Sequence, residues 1–87
     1  MYLHLTATAP LTDAQALLDQ AAHVSGNLRL AGLKTSGTEA VCELQSYRPL
    51  TADTRARFEQ FGAQRVPGLT VAYYSSEAAA RAAGVSL

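Results

Sequence analysis

The stretch that decides the fold is residues 2–18, YLHLTATAPLTDAQALL, in which an alternating segment runs through a proline into a helical segment. Before the proline, Leu3, Leu5 and Ala7 fall on one face, and aromatic or polar side chains fall on the other. This period of two predicts a β-strand over residues 2–9 with one face against a core. Pro10 ends the strand, because it has no backbone N–H to donate to a sheet.

The segment after the proline is typical of an amphipathic helix. Thr12 is a favourable N-cap residue, and Gln15 three positions later completes a capping box. Apolar side chains then recur at helical spacing, namely Ala14, Leu17, Leu18, Ala21 and Val24. Gly26 is expected to end this helix in a left-handed cap.

Outward from this stretch, the chain predicts three more strands and two more helices. The strands are expected over residues 27–34, 38–47 and 69–74, with a bulge at Gly32. The second helix opens at Pro49-Leu50-Thr51 and is expected to end at Gly62, and a short Ala-rich helix covers residues 77–83. Pro67-Gly68 suits a type II turn, since proline presets the first central φ and glycine supplies the positive one.

The predicted order β-α-β-β-α-β indicates one α+β domain over residues 1–87. Pro10-Leu11-Thr12 recurs as Pro49-Leu50-Thr51, each time between a strand and a helix. We expect a ferredoxin-like split βαβ fold (βαββαβ): a four-stranded antiparallel sheet, two helices on one face, and a short C-terminal helix. Whether Val85 and Leu87 pack on this domain or on another chain is left open.

Composition excludes several classes of function. Seven basic residues balance seven acidic ones, so the chain has no general attraction for nucleic acid or an anionic membrane. A single cysteine precludes an internal disulfide. We see no signal peptide and no apolar run of the roughly 20 residues that a membrane helix needs, and a cytoplasmic location follows by default.

Few residues carry candidate chemistry. Cys42 alternates with apolar neighbours and is interpreted as a packing residue. His4 and His23 lack metal-ligand spacing to other His, Cys or acidic residues, so no metal and no cofactor is expected. With no nucleophile motif, we expect a protein that is not an enzyme. The alternative is an enzyme of the small dimeric α/β-barrel type with His4 as acid or base.

The sheet face opposite the helices is the candidate interaction surface. Its expected interface residues are Tyr2, His4, Val41, Tyr47 and Tyr74. Because tyrosine is enriched at protein interfaces, this face favours a homodimer over a bare, solvated surface. Acidic Glu39 and Glu43 on the same face disfavour stacking of nucleic-acid bases. The alternative is an interaction module, such as a small inhibitor or an accessory subunit, that binds another protein through this face or through the edge strand of the sheet.

Four segments resemble ACT-type regulatory domains. They are Thr8-Ala9-Pro10-Leu11-Thr12 at the first strand-to-helix junction, the amphipathic Leu17 to Ser25, the helix-ending Gly26-Asn27-Leu28, and Pro67-Gly68-Leu69-Thr70-Val71 at the entry to the last strand. The resemblance covers most of the chain.

This resemblance implies a regulatory or dimerising module that binds a small molecule. The ligand contacts that it implies come from the first junction, at Thr8, Pro10, Leu11, Thr12 and Asp13. The family often has an acidic residue before the proline and a glycine after it, where this chain has Thr8 and Leu11. A leucine side chain hinders the close backbone approach that glycine allows.

Overall fold

The computed structural model describes residues 1–46 and 48–87. The elements in chain order are β1 (Tyr2–Thr6), a 3₁₀ turn (Thr12–Ala14), α1 (Gln15–Gly26), β2 (Arg29–Ser36), β3 (Glu39–Gln45), α2 (Ala52–Arg65), β4 (Thr70–Tyr74) and α3 (Glu77–Ala82). Within the described ranges, no helix has the length and apolar character needed to cross a membrane.

The strands form one antiparallel sheet in the order β2-β3-β1-β4. The first and third strands are therefore central, and β2 and β4 are the edges. This confirms the predicted α+β class, the four-stranded antiparallel sheet and the short C-terminal helix.

The main core lies between the sheet and the two long helices. Leu3 and Leu5 of β1 are completely buried there, as are Leu18 of α1 and Phe58 of α2. The odd-numbered residues of β1 and the even-numbered residues of β3 face this core, as period two requires. Both long helices thus cover the same face of the sheet, and we call the opposite face the open sheet face.

An irregularity divides β2 into two halves, as predicted from its glycine. The pairing with β3 shifts by one residue between Ala31 and Lys34, and Gly32 has a φ of +63°. A bulge reverses which side chains face the core. Leu30 before the bulge and Leu33 after it both pack on the main core, and Lys34 is left on the open sheet face.

The ends of α1 differ from the prediction. No side-chain hydrogen bond caps its start: the chain enters through the 3₁₀ turn, so the expected capping box of Thr12 and Gln15 does not form. At the other end Asn27, not Gly26, is the left-handed cap, with a φ of +58°. Its N–H donates to the His23 carbonyl, and asparagine tolerates this conformation better than most residues.

The second helix runs past the glycine that was expected to end it. Gly62 is buried inside α2, and a Cβ there would lie 2.7 Å from Cδ2 of Leu69. The residue therefore permits close packing of α2 on the following segment. The predicted turn does form, because the Leu69 N–H donates to the Val66 carbonyl across Pro67-Gly68, with a Gly68 φ of +68°.

Candidate functional site

The C-terminal segment covers part of the open sheet face. Ala80 of α3 and Val85 behind it pack on Val41, which is only 2% exposed, and Tyr2 and Tyr74 flank this small cluster. Three of the residues predicted for an interface, Tyr2, Val41 and Tyr74, thus lie together on the open sheet face. Their cover is this chain's own C-terminal segment, which answers the open question about Val85. Tyr47, also predicted for the interface, lies outside the described residues.

His4 occupies the open sheet face between Val41 and Ala72 of the neighbouring strands. Its side chain is 23% exposed, and its Nε2 lies 4.0 Å from the Glu39 carboxylate. A partly exposed contact at this distance adds little stability. Among the described residues, no group of three His, Cys, Asp or Glu side chains could hold a metal ion.

The junction predicted to contact a ligand is tied into the fold. Leu11 is completely buried in the main core, and its N–H donates to the Gly37 carbonyl. The Thr8 N–H and hydroxyl both donate to the Pro67 carbonyl, at 3.1 and 3.0 Å. Pro10, Thr12 and Asp13 are exposed. The backbone donors of Thr8 and Leu11 are thus engaged within the chain, and ligand binding here stays a prediction.

The single thiol lies in the main core. Cys42 is 1% exposed, and this burial raises its pKa to about 12, with a smaller contribution from Asp19. A thiol that stays protonated is a poor nucleophile. Its position supports the interpretation of Cys42 as a packing residue.

The two edges of the sheet differ in how they meet solvent. β2 carries the bulge at Gly32 and exposed charges on Arg29 and Lys34. Bulges and charges of this kind discourage a further strand from pairing. β4 reads Thr-Val-Ala-Tyr-Tyr, has no charge or proline, and pairs with β1 without a register shift. It is an edge without these protective features.

The direction of hydrogen bonding alternates along β1, and this alternation shows which backbone groups of β4 point away from the sheet. The Ala7 N–H donates to Thr38, and the Leu44 N–H donates to Met1, so odd-numbered residues of the first strand region bond towards β3. Bonded residues alternate along an antiparallel strand, so the even-numbered residues of β1 bond towards β4. Their partners are Thr70, Ala72 and Tyr74.

The backbone N–H and C=O groups of the two remaining residues of β4 therefore point away from the sheet. The N–H and C=O groups of Val71 and Tyr73 have no hydrogen-bond partner elsewhere in the described part of the chain. We call these four groups the β4 edge. The sequence placed the strand correctly and offered an edge strand as one possible binding surface, but it did not single out β4, although the uncharged composition of residues 70–74 was a visible signal.

Polar side chains from α2 lie beside the β4 edge. The guanidinium carbon of Arg55 sits 4.8 Å from the ring centre of Tyr73. Arg55 Nε and the Tyr73 hydroxyl are both buried, without hydrogen-bond partners among the residues described. Burial raises the pKa of Tyr73 to about 12, with a further increase from Glu59 and an opposing effect from Arg55. Tyr73 is thus a neutral, largely apolar neighbour of the edge at physiological pH.

Comparison with protein-family models, with curated proteins and with solved structures finds no match to this chain.

Proposed function

We propose that this chain is a non-catalytic module that pairs with a second copy of itself along the β4 edge. The observation that carries this proposal is the set of outward backbone groups of Val71 and Tyr73 on an edge without protective features. Unpaired strand edges recruit further strands, because each backbone donor and acceptor gains a partner.

The register of this pairing follows from symmetry. In a two-fold arrangement, Val71 lies opposite Tyr73 of the partner subunit, and Ala72 lies on the axis. Each of the two Val71–Tyr73 pairs exchanges two backbone hydrogen bonds, and the two sheets become one of eight strands. The small Ala72 side chain suits the axis, where two copies of the same residue meet.

Side chains add to these backbone bonds. Val71 and Tyr73 both face the helices and pack against the main core. Each would contact the opposite residue of the partner, and a pair of an aromatic and a β-branched side chain contributes roughly 0.2–1 kcal/mol. The backbone bonds, about 1 kcal/mol each, and the side-chain contacts must also offset the freedom lost on association, so we expect a weak dimer with a dissociation constant on the order of 100 µM.

Pairing at the edge differs from the pairing through the open sheet face that the tyrosine pattern predicts. α3 and Val85 already occupy the part of that face formed by Tyr2, Val41 and Tyr74. Docking a second sheet there would require displacing them, whereas no strand of the described chain pairs with the β4 edge.

We also propose that the strand order represents the ferredoxin-like split βαβ fold. The antiparallel order β2-β3-β1-β4, with both long helices on one face, supports this assignment. The ACT-like resemblance supports a regulatory role for the pair. The buried thiol and the isolated His4–Glu39 contact support a role without catalysis.

Sedimentation equilibrium of an edge variant tests the proposal. Ala72→Lys would place two ammonium groups at the axis, and like charges directly opposite one another destabilise strand pairing. We expect wild type to dimerise at about 0.5 mM and Ala72→Lys to remain monomeric. The matched control is Ala31→Lys on β2, which is also half-buried and on the open sheet face. It should dimerise like wild type.

Two results would contradict pairing at this edge. One is a wild-type monomer at about 0.5 mM, which would show that β4 does not pair with a second copy of this chain. A strand of a different protein would then be the partner to test. The other is equal loss of dimer in both lysine variants. Circular dichroism of the three proteins checks that each is folded before the comparison is made.

A further inference from the structure

A cavity of about 430 Å³ opens at the end of the helical layer. It lies between the C-terminal end of α1, the entry to β2, Ser46 and Arg48 after β3, and the first two turns of α2. This volume falls in the range that small molecules occupy in proteins, roughly 300–1,000 Å³. Neither Val71 nor Tyr73 lines the cavity.

The charged side chains that line this cavity are all basic, and we call it the arginine cavity. Arg48 and Arg57 line it, and no Asp or Glu of the described residues does. Neither arginine forms an ion pair in the described part of the chain, where the ion contacts are His4–Glu39 and Glu77–Arg81. Two guanidinium groups at one cavity without a carboxylate provide complementary charge for an anion.

The depression along the flank of α3 provides a contrast. It has a volume of about 320 Å³ and is lined by Lys34, Arg81 and Glu77. The Arg81 guanidinium lies 2.6 Å from the Glu77 carboxylate, which competes there with any bound anion. Among the described residues, no Asp or Glu lines the arginine cavity to compete in this way.

Hydroxyl groups at the arginine cavity supply a further donor. The Thr51 and Thr54 hydroxyl oxygens are 3.0 Å apart, and one of them donates to the other. The hydrogen of the second hydroxyl is left for another acceptor. Ser46 is differently placed, because its hydroxyl donates to the Arg48 carbonyl and accepts from the Arg48 N–H. These two bonds join the Ser46 side chain to the backbone of Arg48.

We propose that this cavity binds a small organic phosphate. Arginine matches phosphate oxygens with paired donors, and a phosphate monoester is close to a dianion at pH 7, which suits two guanidinium groups. Leu28 and Pro49 also line the cavity and offer apolar surface to the organic part of the ligand. A ligand here would add a binding function to the proposed pairing of two copies, at a place other than the strand-to-helix junction around Pro10.

Binding of phenyl phosphate, followed by NMR titration of the full chain, tests this site. We expect saturable shifts in the amides of Ser46, Thr51 and Thr54, and weaker binding of inorganic phosphate, which lacks the apolar part. Arg48→Gln and Arg57→Gln should each weaken phenyl phosphate binding roughly 10-fold or more, because each removes a charge-assisted contact.

The matched control is Arg65→Gln. Arg65 also lies on α2, but it stacks on Phe61 at 3.6 Å and does not line the cavity. Its loss should leave binding unchanged. An equal loss in all three variants, or no saturable shift at about 10 mM phenyl phosphate, would overturn the proposed site. Equal affinity for inorganic phosphate would overturn its assignment to an organic ligand.

Discussion

Gly68 lets the turn between α2 and β4 pack closely on Thr8, at the end of the first strand region. Its φ is +68°, and a Cβ at this position would lie 2.5 Å from Cγ2 of Thr8. The Thr8 backbone and hydroxyl both bond to Pro67 next to it. Two conditions therefore select glycine here, namely the backbone conformation and the close approach of Thr8.

Gly68→Ala is expected to destabilise the protein by about 2 kcal/mol or more, from left-handed strain and the collision with Thr8. Gly37→Ala is the matched control, since its φ of +58° is similar but no atom lies within 4 Å of the added Cβ. It should cost only the backbone strain, about 1 kcal/mol. Urea denaturation measures both, and equal losses would show that the contact with Thr8 is unimportant.

Cys42 and Tyr73 make the free energy of unfolding depend on pH in the alkaline range. Burial raises the pKa of Cys42 from 9.0 to about 12 and that of Tyr73 from 10.0 to about 12. A group whose folded pKa is raised stabilises the fold fully below its unfolded pKa, and this stability is lost as pH rises towards the folded value. The free energy of unfolding should therefore fall between about pH 9 and 12.

Urea denaturation at about pH 7.5 and about pH 10.5 measures this fall. Cys42→Ala removes one of the two groups, so its loss of stability between the two pH values should be smaller than that of wild type. An identical loss in wild type and Cys42→Ala would show that the thiol titrates normally in the folded protein.

At the scale of elements, α3 is attached to the sheet separately from the two long helices. It packs through Ala80, and Val85 follows, in a cluster on the side of the sheet opposite the main core. Elements with small buried areas open more readily than the core that they lie on. We therefore expect α3 to detach without unfolding of the remaining chain.

Ala80→Asp tests this independence, because it places a carboxylate on the buried face of α3. NMR should show α3 detached and Tyr2 and Tyr74 more exposed, with the shifts of Leu18 and Phe58 retained. Ala78→Asp is the control, since Ala78 is exposed on the same helix and should tolerate the change. Global unfolding of Ala80→Asp would show that the two clusters fold as one.

The sequence predicted the strands better than the position of α3, because only the strands show a contrast between buried and exposed residue types. Burial of one face imposes period two, so the alternation around Leu3 and Cys42 correctly assigned both faces of the central strands. α3 has no such contrast, because buried Ala80 and exposed Ala78 and Ala82 are the same residue type. Val85, the apolar residue that packs with Ala80 on the sheet, lies beyond the end of α3.

At the scale of the whole molecule, strand order determines which segment is available to a partner. The composition of residues 70–74 is visible in the sequence, but its consequence depends on β4 lying at an edge and β1 lying inside. The arginine cavity likewise joins residues far apart in the chain, around Gly26, Arg48 and Arg57. Such sites depend on tertiary packing that no local pattern encodes.

In the proposed dimer, the outward backbone groups of β4 pair with those of a second copy. Amide hydrogen exchange at Val71 and Tyr73, compared by NMR at about 20 µM and about 1 mM protein, reports on this pairing residue by residue. With a dissociation constant on the order of 100 µM, both amides should exchange roughly four-fold more slowly at the higher concentration. The Ala72 amide, which faces β1, should not change. Exchange at Val71 and Tyr73 that is equally fast at both concentrations would contradict the account.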